Sequence, residues 1–410
     1  MNASGDHLIK KQVLHLDSNI GVKILVALQT LLASGFWVRF WPEQFISGYT
    51  ANRLLGVLVG VIILLRASKT LDAPRIAGIH TIFFVLLFSS TLWSNDWIAS
   101  ALTSFSIVTL WLCASSLNGL DLTEILKICR IAFSLALLIS LITNTIAPEY
   151  TTSQIYRYGV GIEPLYIGLW NWNSEIAVVA CLNIFIVIFL WSRTRTYMNL
   201  LLILLTFWTL VLADSALTTL SLGVGLIGYL YNWKPFNQWR LVSAGLAISF
   251  TLLFLSSLSG NPIEAITLTV GRDQSLSGRT VVWNEYYNAW FNSPFLGHGV
   301  GNNLDLTNLL GWTGHAHNGF LSIAYQLGLV GLLIIISIFI KSLVNVPEQR
   351  KPIQFSILLF IATMNLGNDY LMAATLPLFF LALFSNRAEE YSRSDLGAYS
   401  RPSSTERYSK

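Results

Sequence analysis

The sequence predicts an all-α protein, a polytopic membrane helix bundle of about twelve transmembrane helices with one long outer loop that contains short helices. Three observations predict it. The chain is 54% hydrophobic and only 11% charged over 410 residues, whereas an ordinary soluble domain is roughly 25% charged. Its apolar residues gather in runs of about 17 to 22, the length that crosses a hydrocarbon layer of ~30 Å. Its lysines and arginines fall overwhelmingly on one side of those runs.

The elements follow in chain order. The first twenty residues hold Asp6, Asp17 and two lysines with no early apolar core, so no cleaved signal peptide is expected. Candidate spans then lie near 21–38, 50–66, 76–93, 98–117, 124–146, 174–192, 197–213, 215–232, 241–258, 319–340, 353–367 and 370–385. With the N-terminus in the cytoplasm, 20 of the 25 Lys and Arg fall inside, and Arg39, Arg53, Arg157, Arg272 and Arg279 fall outside. That asymmetry is the positive-inside bias, and it places both termini in the cytoplasm. The net charge of +4 is therefore topology rather than a nucleic-acid patch. Residues 1–385 form the membrane domain, and 386–410, polar and mixed in charge, read as a disordered cytoplasmic tail.

Cys113, Cys129 and Cys181 lie in or beside apolar segments and have no zinc-like spacing, which fits small hydrophobes within helices. The other loops are short, so two outer segments stand out, 147–173 and 259–318. Polar chemistry on a long loop is where function tends to sit.

Within the longer segment, Val282, Tyr286, Ala289 and Trp290 recur at helical spacing with Trp283 and Tyr287 alongside. They predict a helix over 280–291, lying on the outer leaflet or packed on the bundle, capped by Ser277 and broken by "NSPFLG". Arg279 then sits in its first turn. A guanidinium fork beside free helix N–H groups suits a phosphate. Arg272 is placed to clamp the same anion. The competing reading pairs both arginines with Asp273 and Glu285 or lets them snorkel. "GHGVGNN" lacks the Lys-Ser/Thr sequel of a phosphate cradle and reads better as a tight turn with glycines at positive φ. His298 within it is a turn residue or a substrate contact.

His317 and Asn318 stand where the long loop meets the tenth span. Asn318 is suited to cap that helix. The imidazole before it, ordinarily titrating near ~6.5, is mostly neutral and able to take a proton from a hydroxyl, or else merely snorkels. His315 and His317, two residues apart, have no helical i, i+4 partner, and the loop's acids form no D-x-D pair, so no metal is expected.

"SGRTVVW", "NSPFLGHGVGNN" and "HAHNGFLSIAYQLGLVGLL" together resemble the signature of the O-antigen ligase and polysaccharide polymerase superfamily, with the "HAHNGFL" form similar to exopolysaccharide polymerases. The matching residues are Gly278, Arg279 and Trp283; Pro294, Gly297 and Gly299; then His317, Asn318, Leu321, Leu327, Gly328 and Gly331. The resemblance implies a metal-independent, inverting glycosyltransferase of the bacterial inner membrane, with no cofactor, serving exopolysaccharide or lipopolysaccharide biosynthesis. Its donor would be a glycan on undecaprenyl diphosphate. Its acceptor would be another lipid-linked repeat unit or lipid A-core, and a chain-length regulator is a candidate partner. Outside the cytoplasm no nucleotide sugar is at hand, so a lipid-activated donor makes chemical sense. It implies His317 as base, Arg279 and Arg272 on the diphosphate, and Trp283, Asn318, His298 and His315 in support. The family's basic residue after Ser215 is here Ala216, and Arg157 is the candidate to replace it. The alternatives are a transporter or flippase for lipid-linked oligosaccharide, which would favour acids at mid-membrane depth (Glu175 is the clearest), and a non-catalytic envelope assembly protein.

Overall fold

Apolar runs become helices because a backbone in lipid must satisfy its own N–H and C=O groups. The computed structural model describes residues 20–36, 38, 48–70, 78–117, 120–157, 161–170, 172–191, 197–231, 279–304, 315–343, 346, 350–372 and 375–399. Among them are α1 (Ile20–Ala33), α2 (Gly48–Thr70), α3 (Gly78–Ser89), α4 (Trp97–Ser116), α5 (Leu122–Ile146), α6 (Asn173–Trp191), α7 (Tyr197–Ala213), α8 (Ala216–Tyr231), α9 (Arg279–Phe291), α10 (Gly319–Leu343), α11 (Lys351–Met364) and α12 (Leu376–Tyr399). Eleven of the twelve expected spans coincide with these helices; the run at 241–258 lies outside the described residues. Four helices, α4, α5, α6 and α10, are individually long and apolar enough to cross a membrane.

Two elements differ from the expectation. The segment 147–173, expected as an outer loop, carries two paired strands, β1 (Thr152–Arg157) and β2 (Gly161–Tyr166). β-Branched and aromatic residues around glycines favour that pairing over a loop. Helix α12 also runs on to Tyr399, past the limit at 385 set by hydropathy. Hydropathy marks where apolar residues stop. Ala388, Glu389 and Glu390 are strong helix formers, and no proline interrupts them.

The chain divides into two compact units. The first comprises residues 1–74, 119–155 and 163–218. Its centre is α6, apolar all round and buried along nearly its whole length. Asn183 is the polar exception, donating to Ser134 Oγ of α5 at 3.2 Å and Thr206 Oγ1 of α7 at 3.0 Å, and so pins three helices together. Glu175 in the first turn of α6 reaches back to the Trp172 N–H at 3.3 Å, a reciprocal N-terminal cap.

The second unit comprises 75–118, 156–162 and 219–410. In α4 the usual pattern is inverted. Ile98, Leu102 and Phe105 are exposed on one stripe, while Ser100, Thr103 and Ser104 are buried on the other. Such a helix suits lipid outside and close packing inside; Ser104 Oγ donates to Leu87 O of α3 at 3.0 Å. A polar layer ties the helix ends near Lys341. His80 meets Ser385 at 2.6 Å, Asn386 donates to Ser115, and Arg387 donates to Leu117 O at 3.0 Å. Gln354 in that layer donates to Ser342 O.

Candidate active site

Helix α9 packs on the start of α10 through the side chains its spacing put on one face. Val282 and Tyr286 are buried against Ala316, Leu321 and Tyr325, with Trp283, Ala289 and Leu304 packed around them. The Tyr286 and Tyr325 rings meet edge to face at 4.9 Å, a geometry worth ~0.5–1.5 kcal/mol beyond area burial. Arg279 is the first residue of α9 and half-buried. The Trp283 indole N–H is buried without a partner among the described residues.

After α9 the chain enters the Pro-x2-Gly-x-Gly loop, and α10 is built to receive it. Gly328 interrupts α10 with φ 66° and ψ −168°. Across that break, Leu329 N donates to Pro294 O at 2.8 Å and Val330 N to Phe295 O at 3.3 Å. In return His298 N donates to Tyr325 O at 2.8 Å and Gly299 N to Gln326 O at 2.9 Å. Four groups that the helix left open are thus closed by the loop. Gly297, at φ 69°, lies so near that a Cβ would stand 2.5 Å from the Gln326 backbone. The glycines therefore serve a tight turn against protein, as their positive φ values of 69°, 98° and 79° at Gly297, Gly299 and Gly301 require. His298 stacks on Tyr325 at 4.6 Å, and its Nε2 lies 2.9 Å from Ala289 O. A carbonyl only accepts, so Nε2 carries the proton, and the ring bridges α9 to α10.

His317 stands one residue ahead of the cap of α10. Asn318 Oδ1 accepts from Phe320 N at 3.1 Å and Leu321 N at 3.0 Å, the expected cap. The same side chain donates to Leu366 O at 3.2 Å, and Gly319 N donates to Asn365 O at 2.8 Å. These ties fix the chain immediately after a strained residue: His317 has φ 48°. Left-handed backbone at a residue with a Cβ costs ~1–2 kcal/mol. The ring is held neutral. Burial first, then the Arg279 guanidinium and the His315 ring, push its pKa from 6.5 down to about 4. Arg279 and His317 are therefore electrostatic neighbours, whereas His315 itself is exposed.

Sequence reasoning missed Asp369, in the connection between α11 and α12. Its Oδ2 accepts from Ser322 Oγ at 2.7 Å, while Oδ1 is buried with no partner among the described residues. Gln326 Nε2 donates to Ser322 Oγ at 3.1 Å, and Gly301 N donates to Gln326 Oε1 at 2.9 Å. One polar chain thus runs from the glycine loop to the carboxyl. Burial raises the Asp369 pKa to about 7, against a smaller lowering by Ser322. The available signal was an acid in the few residues between two apolar runs.

The structure thus brings Arg279, Trp283, His298, His317 and Asn318 to one end of α10, with His315 alongside. Arg272 lies outside the described residues, as does Ser277. Arg157 is the last residue of β1, its side chain outside the described set. Ser215 bonds Thr218 through their hydroxyls at 2.8 Å, and Ala216 opens α8. Among the described residues no three His, Cys, Asp or Glu side chains gather as a metal-ligand set. What the arrangement offers is a neutral imidazole near a guanidinium, at the start of an apolar helix.

No curated protein and no solved structure matches the chain. The family model described as O-antigen ligase matches residues 200–336, which include the arginine helix, the glycine loop and His317. That match spans about a third of the chain, so residues 200–336 are similar to the O-antigen ligase family, and they sit in a body of apolar helices.

Proposed function

We propose that the protein is an inverting glycosyltransferase of the bacterial inner membrane. It moves a glycan from undecaprenyl diphosphate to a sugar hydroxyl at the periplasmic face, the hydroxyl belonging to a second lipid-linked repeat unit or to lipid A-core. The observation that carries this reading is the imidazole of His317, kept neutral by burial and by Arg279. A neutral ring can take the acceptor's proton. The freed oxygen forms its bond to the anomeric carbon on the face opposite the diphosphate. The old carbon–oxygen bond breaks, and its electron pair stays on the diphosphate.

Arg279, at the N-terminus of α9, meets that growing charge. Arg272 and Arg157 are further candidates to hold the diphosphate. A bound diphosphate also offsets the Arg279 charge felt by His317, so the ring becomes a stronger base when the donor arrives. Trp283, His298 and Asn318 keep α9 and α10 in register around the reacting groups.

The test compares His317→Ala with His315→Ala, using purified protein in detergent and a polyprenyl-diphosphate glycan. His317→Ala is expected to lose about 10²–10⁴ in transfer rate while still binding donor, and His315→Ala to lose far less. Equal residual activity in the two removes the base assignment. Transfer in detergent, with no second compartment, separates an enzyme from a transporter.

A further inference from the structure

The loop after α9 lies deep against α10, and the helices around it measure how deep. The polar layer of His80, Ser115, Ser342 and Ser385 marks one level in the second unit, beside the basic residues Lys341 and Arg387. Basic side chains of this kind settle at the edge of the hydrocarbon. From Ser342, Gly328 is 14 residues up α10, about 21 Å at ~1.5 Å per residue. A second scale agrees. Gly301 lies against Thr103 and Ala99 of α4, which are 12 and 16 residues above Ser115, about 18 and 24 Å. The far end of α4, capped by Asp96 through Ala99 N at 3.0 Å, stands about 29 Å up. That span matches a hydrocarbon thickness of ~30 Å. Phe295 and Leu296, packed beside Gly328, therefore lie one to two turns inside it, and the loop rises from there to Ser94 at the α3–α4 turn, against which Gly299 packs.

Irregular backbone survives at such depth only when protein closes its hydrogen bonds, and the four bonds across the Gly328 break do this. The side chains turn the other way. Phe295 is 66% exposed and Leu296 49%, continuous with Val330 and Leu333 on the outward face of α10. A ring in water at that exposure would forfeit most of the stabilisation that burial gives an apolar side chain.

We propose that residues 294–301 form a re-entrant segment whose Phe295 and Leu296 side chains stand in the acyl chains of the bilayer, so that α9 is anchored by lipid as well as by α10. The occupant is bilayer hydrocarbon, since the same face runs without interruption into the apolar stripe of a membrane-crossing helix. This placement is independent of the transfer chemistry.

Nitroxide labels report it. The native cysteines are all buried, so labels at Phe295→Cys and, separately, Leu296→Cys can be read by collision with oxygen and with a nickel chelate. The protein is held in nanodiscs of phosphatidylethanolamine and phosphatidylglycerol. Leu333→Cys serves as the lipid standard, and Asn95→Cys, exposed beside the Asp96 cap, as the water standard. Both loop labels are expected to show the oxygen-rich, nickel-poor accessibility of position 333. Nickel access equal to that at position 95 overturns the proposal by placing the loop in water. Low access to both reagents overturns it by placing the loop under protein.

Discussion

Replacing Arg279 with Gln tests the electrostatic heart of the site without touching the histidine. In the folded protein His317 titrates near 4 rather than 6.5. That makes protonation about 3 kcal/mol harder than in water, at ~1.4 kcal/mol per tenfold change in proton affinity. Burial is the first cause and Arg279 the second, so Arg279→Gln should raise the midpoint while leaving it below 6.5. The assay is the pH titration of the histidine ring carbon resonance in detergent micelles, assigned by its loss in His317→Gln. The same depression has a thermodynamic sign. Between about 4 and 6.5 the unfolded chain binds a proton that the folded chain refuses. Stability should therefore fall as pH drops through that window, and less steeply in Arg279→Gln. A wild-type midpoint at 6.5, or one unmoved by Arg279→Gln, refutes the reasoning.

Arg279→Lys should express normally yet transfer glycan about 10²-fold more slowly, because a compact ammonium cannot reproduce a planar fork on a diphosphate; full activity with Lys would leave charge alone as the requirement. Gly297→Ala should lower the thermal unfolding midpoint, since φ 69° strains the new side chain and its Cβ meets the Gln326 backbone. Gly223→Ala in α8, where a Cβ meets nothing within 4 Å, should be neutral or better; tryptophan fluorescence melts compare them, and equal losses would sink the distinction. Asp369→Asn should remove a pH dependence. The buried carboxyl keeps its proton up to about 7, whereas the unfolded one releases it near 3.8, so this group makes wild-type stability fall as pH rises between those values. Unfolding midpoints that stay parallel from pH 4.5 to 7.5 would show that Asp369 is not protonated as described.

Periodicity carried much of this structure because lipid leaves a backbone few choices. The runs at 98–117, 124–146, 174–192 and 319–340 match α4, α5, α6 and α10 within a few residues. The helix from Arg279 and the Asn318 cap were also legible, since helical spacing and capping chemistry are local. Long-range facts were not. Nothing in "LGLVG" announces that Gly328 is broken by a loop some thirty residues earlier, because the bonds that stabilise the break come from Pro294 and Phe295. The positive φ of His317 depends on ties to Asn365 and Leu366, fifty residues on. Asp369 passed unnoticed for the same reason, its Ser322 partner being visible only once α10 and the α11–α12 turn meet.

The gap in α10 also sets an order of assembly. A span with two open N–H and two open C=O groups is a poor lodger in hydrocarbon, each unmet group costing several kcal/mol. The loop that closes those groups precedes α10 in the chain, so it has left the ribosome before the span is threaded. Maturation of α10 must then wait on docking of residues 294–299, and the span cannot settle as an autonomous hairpin with α11. Deleting that loop should strand an apolar, membrane-targeted chain as a substrate for quality-control proteolysis, although every residue of the span itself is intact.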